Sequence, residues 1–293
     1  MTGALRGHAA MLAFSGLIAG SFALGSMAAP YIAPTALNAL RFTMASVLVG
    51  VAALATTGLR RRDFAAPWRY GVLGGLMGLY FVLMFEGLKT APPVSAAAVF
   101  TLSPILSGIA GYVLLRQIAT RRMAVALAVG AAGALWVIFR ADLAALMRFE
   151  VGRGEVIYFW GCVAHAIYTP LVRRLNRGES ALVFSFGTMA AAAVILLAAG
   201  APDLARTDWG MLPAIVWITL AYVTIFASAV TFVLLQYASL RLPSAKVMAY
   251  TYLTPSWVLC WQAALGAPMP PVMILLGVAL TVLALVLLLK DEK

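Results

Sequence analysis

Charge is scarce in this sequence, and acid most of all: Asp and Glu number ten against twenty-one Lys and Arg, and charged residues make up 11% of the chain. Ordinary soluble domains carry about 25%, so a water-facing globular surface is excluded. Cysteine and histidine are nearly absent, at two each. Cys162 and Cys260 fall deep inside apolar runs, where a cysteine reads as a small buried hydrophobe, so no disulfide framework follows. His8 sits in an N-terminal tail, His165 is alone in an apolar run, and no buried Asp accompanies either. Neither a nucleophile with its base nor a metal-ligand set can be assembled from them, which disfavours an intramembrane enzyme and implies no cofactor and no metal.

What is present is apolar surface, at 63% hydrophobic residues. The chain reads as an all-α integral membrane protein. A net charge of +11 would suggest nucleic acid in a soluble protein, but here the basic residues stand in short runs between apolar segments, as orientation signals do. A bilayer core takes about 20 apolar helical residues to cross. Ten windows of that kind appear, at 9–28, 34–57, 68–88, 94–115, 123–139, 156–172, 181–199, 211–237, 245–265 and 271–289. The first is too long for the apolar region of a signal peptide, although "SMAA" offers a cleavage-like site. The longest connection, 140–155, is too short to fold alone, so function must lie within the helices.

With both termini placed inside, fourteen Lys and Arg fall on the cytoplasmic side, among them Arg60, Arg61, Arg62, Arg173, Arg174 and Arg177. Five fall outside, including Lys89, Arg140 and Arg148. Positive loops stay cytoplasmic, so this orientation is the expected one.

The sequence also repeats itself. Shifted by 151 residues, the stretch from Thr90 lies without gaps on the stretch from Arg241, so that Pro92 meets Pro243 and Pro104 meets Pro255. "FSGLIA" at Phe14 likewise matches "FWGCVA" at Phe159. The unit is five helices, and an odd number turns the second copy upside down, giving two inverted repeats at 1–140 and 154–293 joined by an outer loop at 141–153. Alternating access needs that symmetry.

Five features then carry a resemblance: "ALNALRF" opening the second window, "GLKTAPP" leading into the fourth, "SP" and "YLTP" inside the fourth and ninth, and Gly130 with Gly133 in the fifth. The chain resembles the drug/metabolite transporter superfamily, within it the EamA-type ten-helix exporters, and within those the bacterial aromatic amino-acid exporters. The resemblance implies ten transmembrane helices as two inverted five-helix repeats, an inner-membrane location and export of small metabolites. The chain departs from the common pattern, a "GE" pair after the fourth and ninth helices, by carrying Arg116-Gln117 and Gly266-Ala267-Pro268 there.

Polar and aromatic residues inside the windows are the candidate substrate contacts. In the ninth, steps of three and four put Lys246, Tyr250, Thr254 and Trp257 on one face. Lys246 either snorkels to headgroups or attracts a substrate carboxylate in a cavity. Tyr250 is mid-helix, where its hydroxyl needs a partner. Pro92, Pro104, Pro243 and Pro255 are the candidate structural or gating residues, since proline frees a carbonyl where a cavity tolerates the break. His165 shares a face with Gly161 and Tyr168, and Asn38 shares one with Arg41, which either snorkels outward or binds carboxylate by its planar fork. Tyr80, Phe100 and Trp160 complete the set, each open to a plain packing reading. "GVLGGLMG" at 71–78 is read as a close helix contact.

Many rings and few fixed charges suit a zwitterionic aromatic or other neutral amino acid, and two cations are too few for a nucleotide sugar. The expected function is a secondary transporter with a small-molecule substrate, no nucleic acid and no obligatory protein partner. Other metabolites or drugs, or a channel, are the alternatives, with rocking favoured by the inverted repeat. Coupling stays open between gradient-driven export and proton antiport, the titratable choices being Glu86 and His165.

Overall fold

The computed structural model describes residues 3–118, 120–148 and 150–289, so Lys290 and Lys293 of the cytoplasmic charge set lie outside the described residues. Among the described residues there is helix and turn but no strand. In chain order the helices are α1 (Gly3–Ala28), α2 (Pro34–Thr56), α3 (Trp68–Gly87), α4 (Pro93–Phe100), α5 (Ser103–Leu115), α6 (Arg121–Ile138), α7 (Leu143–Arg148) and α8 (Arg153–Leu175). The second half continues with α9 (Ala181–Ala199), α10 (Ala201–Arg206), α11 (Ala214–Thr224), α12 (Thr231–Ser239), α13 (Ser244–Ala249), α14 (Thr254–Ala264) and α15 (Val272–Leu289).

Among the described residues eight runs are long and apolar enough to cross a membrane: α1, α2, α3, α4 continued by α5, α6, α9, α11 continued by α12, and α15. Two of the ten windows fall short for visible reasons. α8 is a helix of 23 residues, but Arg153, Glu155, Arg173 and Arg174 charge its ends. The 245–265 window is cut into α13, a 3-10 turn at Tyr250–Leu253 and α14, each short by itself.

Proline sets these breaks. Pro92 and Pro243 are the N-caps of α4 and α13, while Pro104 and Pro255 stand in the first turns of α5 and α14. A proline nitrogen cannot donate to the preceding turn, so both runs interrupt at matching points. α11 and α12 are joined instead by a π-helical turn, Ile225–Val230.

Packing between the halves comes in exchange-related pairs. α3 packs on α8 and α9, while the α11–α12 run packs on α1 and α2. α5 lies on α8 as α14 lies on α1; α4 meets α14, and α5 meets α13. α2 with α9 and α6 with α15 complete the set. Glycine permits the closest crossings. A Cβ on Gly74 would stand 2.6 Å from the Ala192 amide nitrogen of α9, whereas one on Gly71 would meet nothing within 4 Å. The contact expected of 71–78 therefore centres on Gly74, with Gly78 at ordinary distance from Leu196.

Candidate functional site

The centre of the bundle is a cage of rings drawn from both halves. On α8, Tyr158, His165 and Tyr168 follow helical spacing and are fully buried. Facing them are Tyr80 and Phe81 of α3, Phe100 of α4 and Phe22 of α1, all buried. The Tyr80 ring stacks on Phe100 at 5.8 Å and 29°, lies 4.5 Å from the His165 ring, and its hydroxyl is 3.0 Å from that of Tyr158. Phe100 is 5.4 Å from His165 edge-on. Offset and edge-to-face pairs of this kind contribute about 0.5–1.5 kcal/mol each beyond their buried area.

Inside this cage some polar groups lack partners among the described residues. Both ring nitrogens of His165 are buried and unbonded, and so is Gln236 Oε1, although Gln236 Nε2 donates to the Tyr168 hydroxyl at 3.0 Å. A buried polar group left unmatched costs about 1–3 kcal/mol, and most buried groups are matched. A fixed imidazole and a free amide oxygen beside stacked rings are what a bound polar molecule would use.

Arg41 forms the cationic wall. Its side chain does not reach the interface as snorkelling would require; it is fully buried, 3.7 Å over the Phe81 ring. Nε donates to Ser228 Oγ and Nη2 to the Ala227 carbonyl, both at 2.6 Å, and Nη1 donates more weakly to Asn38 Oδ1 at 3.4 Å. Ala227 and Ser228 lie in the π-helical turn, whose irregular hydrogen bonding leaves a carbonyl turned toward the guanidinium. Asn38 is held in place by donating to Pro34 O at 2.8 Å and Phe81 O at 3.3 Å. Among the described residues no carboxylate pairs with Arg41. Phe81 joins the two regions, since its ring is 4.5 Å from Tyr80.

Asn38, Arg41, Tyr80, Phe100, His165 and Tyr168 are thus brought together, and three expected residues are set apart. Trp160 is 61% exposed on the bundle surface, because five residues from His165 is about 140° around a helix. Lys246 is half-buried in a groove with Gln117, Thr120 and Met123. Tyr250 is buried elsewhere, its hydroxyl 3.1 Å from Nδ1 of His8. His8 is therefore part of α1 and not of a tail. The face proposed for Lys246, Tyr250, Thr254 and Trp257 is lost because the 3-10 turn at Tyr250–Leu253 advances by three residues per turn; Trp257 instead donates to Ser15 Oγ at 3.2 Å.

Sequence reading missed Tyr158, Gln236, Ser228 and Glu155. Tyr158 had a signal, since it lies three and seven residues before Gly161 and His165 on one face. Glu86 is 40% exposed and paired with Lys89 at 2.6 Å, whereas Glu155 is 3% exposed and accepts from Ser95 Oγ at 2.7 Å.

The sequence profile described as the EamA-like transporter family matches residues 5–139 and again 152–290. An uncharacterized transporter of Bacillus subtilis, YyaM, is 24% identical over 276 residues, covering 92% of this chain and 90% of that protein. The aromatic amino acid exporter YddG of Ancylobacter novellus is 35% identical over 104 residues, 34% of this chain and 36% of that protein. A protein of known crystal structure shares the fold, with a TM-score of 0.71 at 21% identity over 99% of this chain and 98% of its own.

Proposed function

Because the chain belongs to the EamA-like transporter family, a multi-pass protein of the inner membrane, we propose that it exports aromatic or other neutral amino acids by alternating access. The working unit in this reading is ten helices as two inverted repeats, 1–140 and 154–293, joined by an outer segment at 141–153, with both termini cytoplasmic. The fourth and ninth spans are then α4 with α5 and α13 with α14, and the sixth is α8. Support comes from the profile matching each half separately, from the proline-set breaks at matching points, and from contacts that recur when the halves are exchanged.

The observation that carries the substrate class is the ring cage with a buried, carboxylate-free Arg41 at its edge. The rings of Tyr80, Phe100 and His165 are in mutual contact here, so an aromatic side chain packs among them as the halves part, and gains about 1.5–3 kcal/mol on burial. Its carboxylate meets the Arg41 fork, where charge-assisted bonds are strong, and its ammonium meets Gln236 Oε1. A cationic drug without a carboxylate would face Arg41 unpaired, which argues against that alternative. Since the rings come from both halves, rocking one half against the other opens the cage first to one side and then to the other. Pro92, Pro104, Pro243 and Pro255 place the bending points.

Purified protein in liposomes loaded with phenylalanine should accumulate external labelled phenylalanine by counterflow. Ion conductance with no counterflow would identify a channel instead. Cysteines placed in the Arg60–Arg62 loop should be labelled only from the cytoplasmic side and one beside Arg148 only from outside; the reverse pattern would overturn the orientation.

A further inference from the structure

Where α6 ends and α8 begins, Arg140 and Glu155 wall one cavity of about 460 Å³. The other charged groups on that wall are occupied. Asp142 Oδ1 accepts from the backbone amides of Ala144 and Ala145 at 2.8 and 3.1 Å, and Glu150 accepts from Arg148 Nε at 2.7 Å. Arg140 has no carboxylate within ion-pair distance among the described residues. It also walls a second cavity of about 300 Å³ that includes Ser95 and Gln262, where Gln262 Oε1 is buried without a partner among the described residues. Arg140 and Ala141 both hold left-handed backbone, φ 55° and 60°, a conformation that residues with a side chain seldom adopt. Glu155 stands one helical turn from Tyr158, so this cavity adjoins the ring cage along α8.

We propose that this cavity is a second, outer binding site for a zwitterion, with Arg140 taking the carboxylate and the Glu155–Ser95 pair taking the ammonium. It rests on the export reading and on the orientation given above, in which the mouth between α6 and α8 faces outward. A plain structural reading of Glu155 exists, since an acid in a first helical turn favours the helix dipole. The two readings differ in ligand selectivity, because a dipole partner has no reason to distinguish amines from acids in solution.

The test places a reporter in the cavity. Ala145, which lines it, is changed to cysteine in the full chain with Cys162→Ala and Cys260→Ala, and a membrane-impermeant maleimide is added from outside. Phenylalanine should slow the labelling. Arg140→Gln should raise the phenylalanine concentration needed for half-protection about tenfold, the loss of one charge-assisted pair. It should abolish protection by 3-phenylpropionate and spare that by phenethylamine. Glu155→Gln, which still accepts from Ser95, should show the opposite preference. Tyr80→Ala, a cage variant, should leave protection intact, which separates this site from a conformational effect of cage binding. Wild-type counterflow of phenylalanine without protection at position 145 would overturn the outer site and leave the export reading standing. Loss of both counterflow and protection would overturn both, and half-protection at an unchanged phenylalanine concentration in both Arg140→Gln and Glu155→Gln would refute the assignment of these two residues.

Discussion

The Arg69 guanidinium lies 2.7 Å from the Glu179 carboxylate, and both side chains are buried, at 1% and 4% exposure. Arg69 also donates to the Leu175 carbonyl at 2.6 Å, and the Arg177 amide donates to Glu179 Oε2 at 2.6 Å. The start of α3 is thereby tied to the loop between α8 and α9, across the two halves. Burial pushes the Glu179 carboxyl up, but the hydrogen bonds from Arg69 and the Arg177 amide outweigh it and hold the group below its usual range.

Removing one partner of such a pair strands the other. Arg69→Met should cost about 3–5 kcal/mol, read as a lower thermal midpoint in detergent. Glu179→Gln should cost less, because its amide oxygen still accepts from Arg69. A carboxyl lowered on folding stabilises above its unfolded value and loses that contribution as pH falls through the folded one. The wild-type advantage over Glu179→Gln should therefore be full at pH 7 and shrink below the ordinary glutamate value of about 4.3. An advantage unchanged down to acid pH would show that the charge of Glu179 is not what stabilises.

The glycine run of α3 gives a contrast within one motif. Gly71→Ala meets open space and removes a flexible residue from a helix, so it should stabilise by about 0.5–1 kcal/mol. Gly74→Ala sets a methyl 2.6 Å from backbone of α9, and overpacking of that kind costs about 1–3 kcal/mol or more. Thermal unfolding of the two variants in one detergent decides it, and equal midpoints would mean that α3 and α9 are not held this closely.

Part of this was legible in the sequence, and the failures share a cause. The paired prolines pointed to breaks at the right places because a missing N–H is a local fact. The His165 face was readable while α8 kept one period, and extending it by one turn would have reached Tyr158. Trp160 fits either a lining or a packing role by sequence, and the structure turns it away from the cage. Lys246 and Tyr250 do not share a face with the cage because the constant helical period of that stretch gives way to 3-10 geometry. Arg41 was ambiguous in sequence because the π-helical turn that receives it lies 186 residues further on. Glu155 fell just outside its window, since a charge marks a window's edge whether or not the fold buries it.

The cage predicts different losses at His165 and Tyr80. His165→Leu fills similar space with no polar atoms, so stability should rise, since two unbonded buried nitrogens are removed. Transport should fall by about tenfold if one substrate hydrogen bond of about 1–1.5 kcal/mol is lost. Tyr80→Ala should instead lower phenylalanine transport more than alanine transport, because it removes ring contact of about 0.5–1.5 kcal/mol. A His165→Leu variant that is stable and fully active would assign the histidine to packing alone.

Charge and geometry can be separated at Arg41 by one substitution. Arg41→Lys keeps the cation but loses the planar fork, and it cannot reach Ser228, Ala227 and a substrate carboxylate together. If the guanidinium holds the carboxylate, phenylalanine transport should fall by tenfold or more while the weaker transport of phenethylamine, which has no carboxylate to lose, changes little. If Arg41 serves only to tie α2 to the π-helical turn, the same substitution should lower both substrates together with the thermal midpoint. Lys246→Met is the control, because its groove lies apart from the cage, so the ratio of the two substrates should stay at its wild-type value. Uptake of both substrates by proteoliposomes at matched protein levels gives the answer. Undiminished phenylalanine transport by Arg41→Lys would remove the carboxylate role from Arg41, and with it the main support for a zwitterionic substrate.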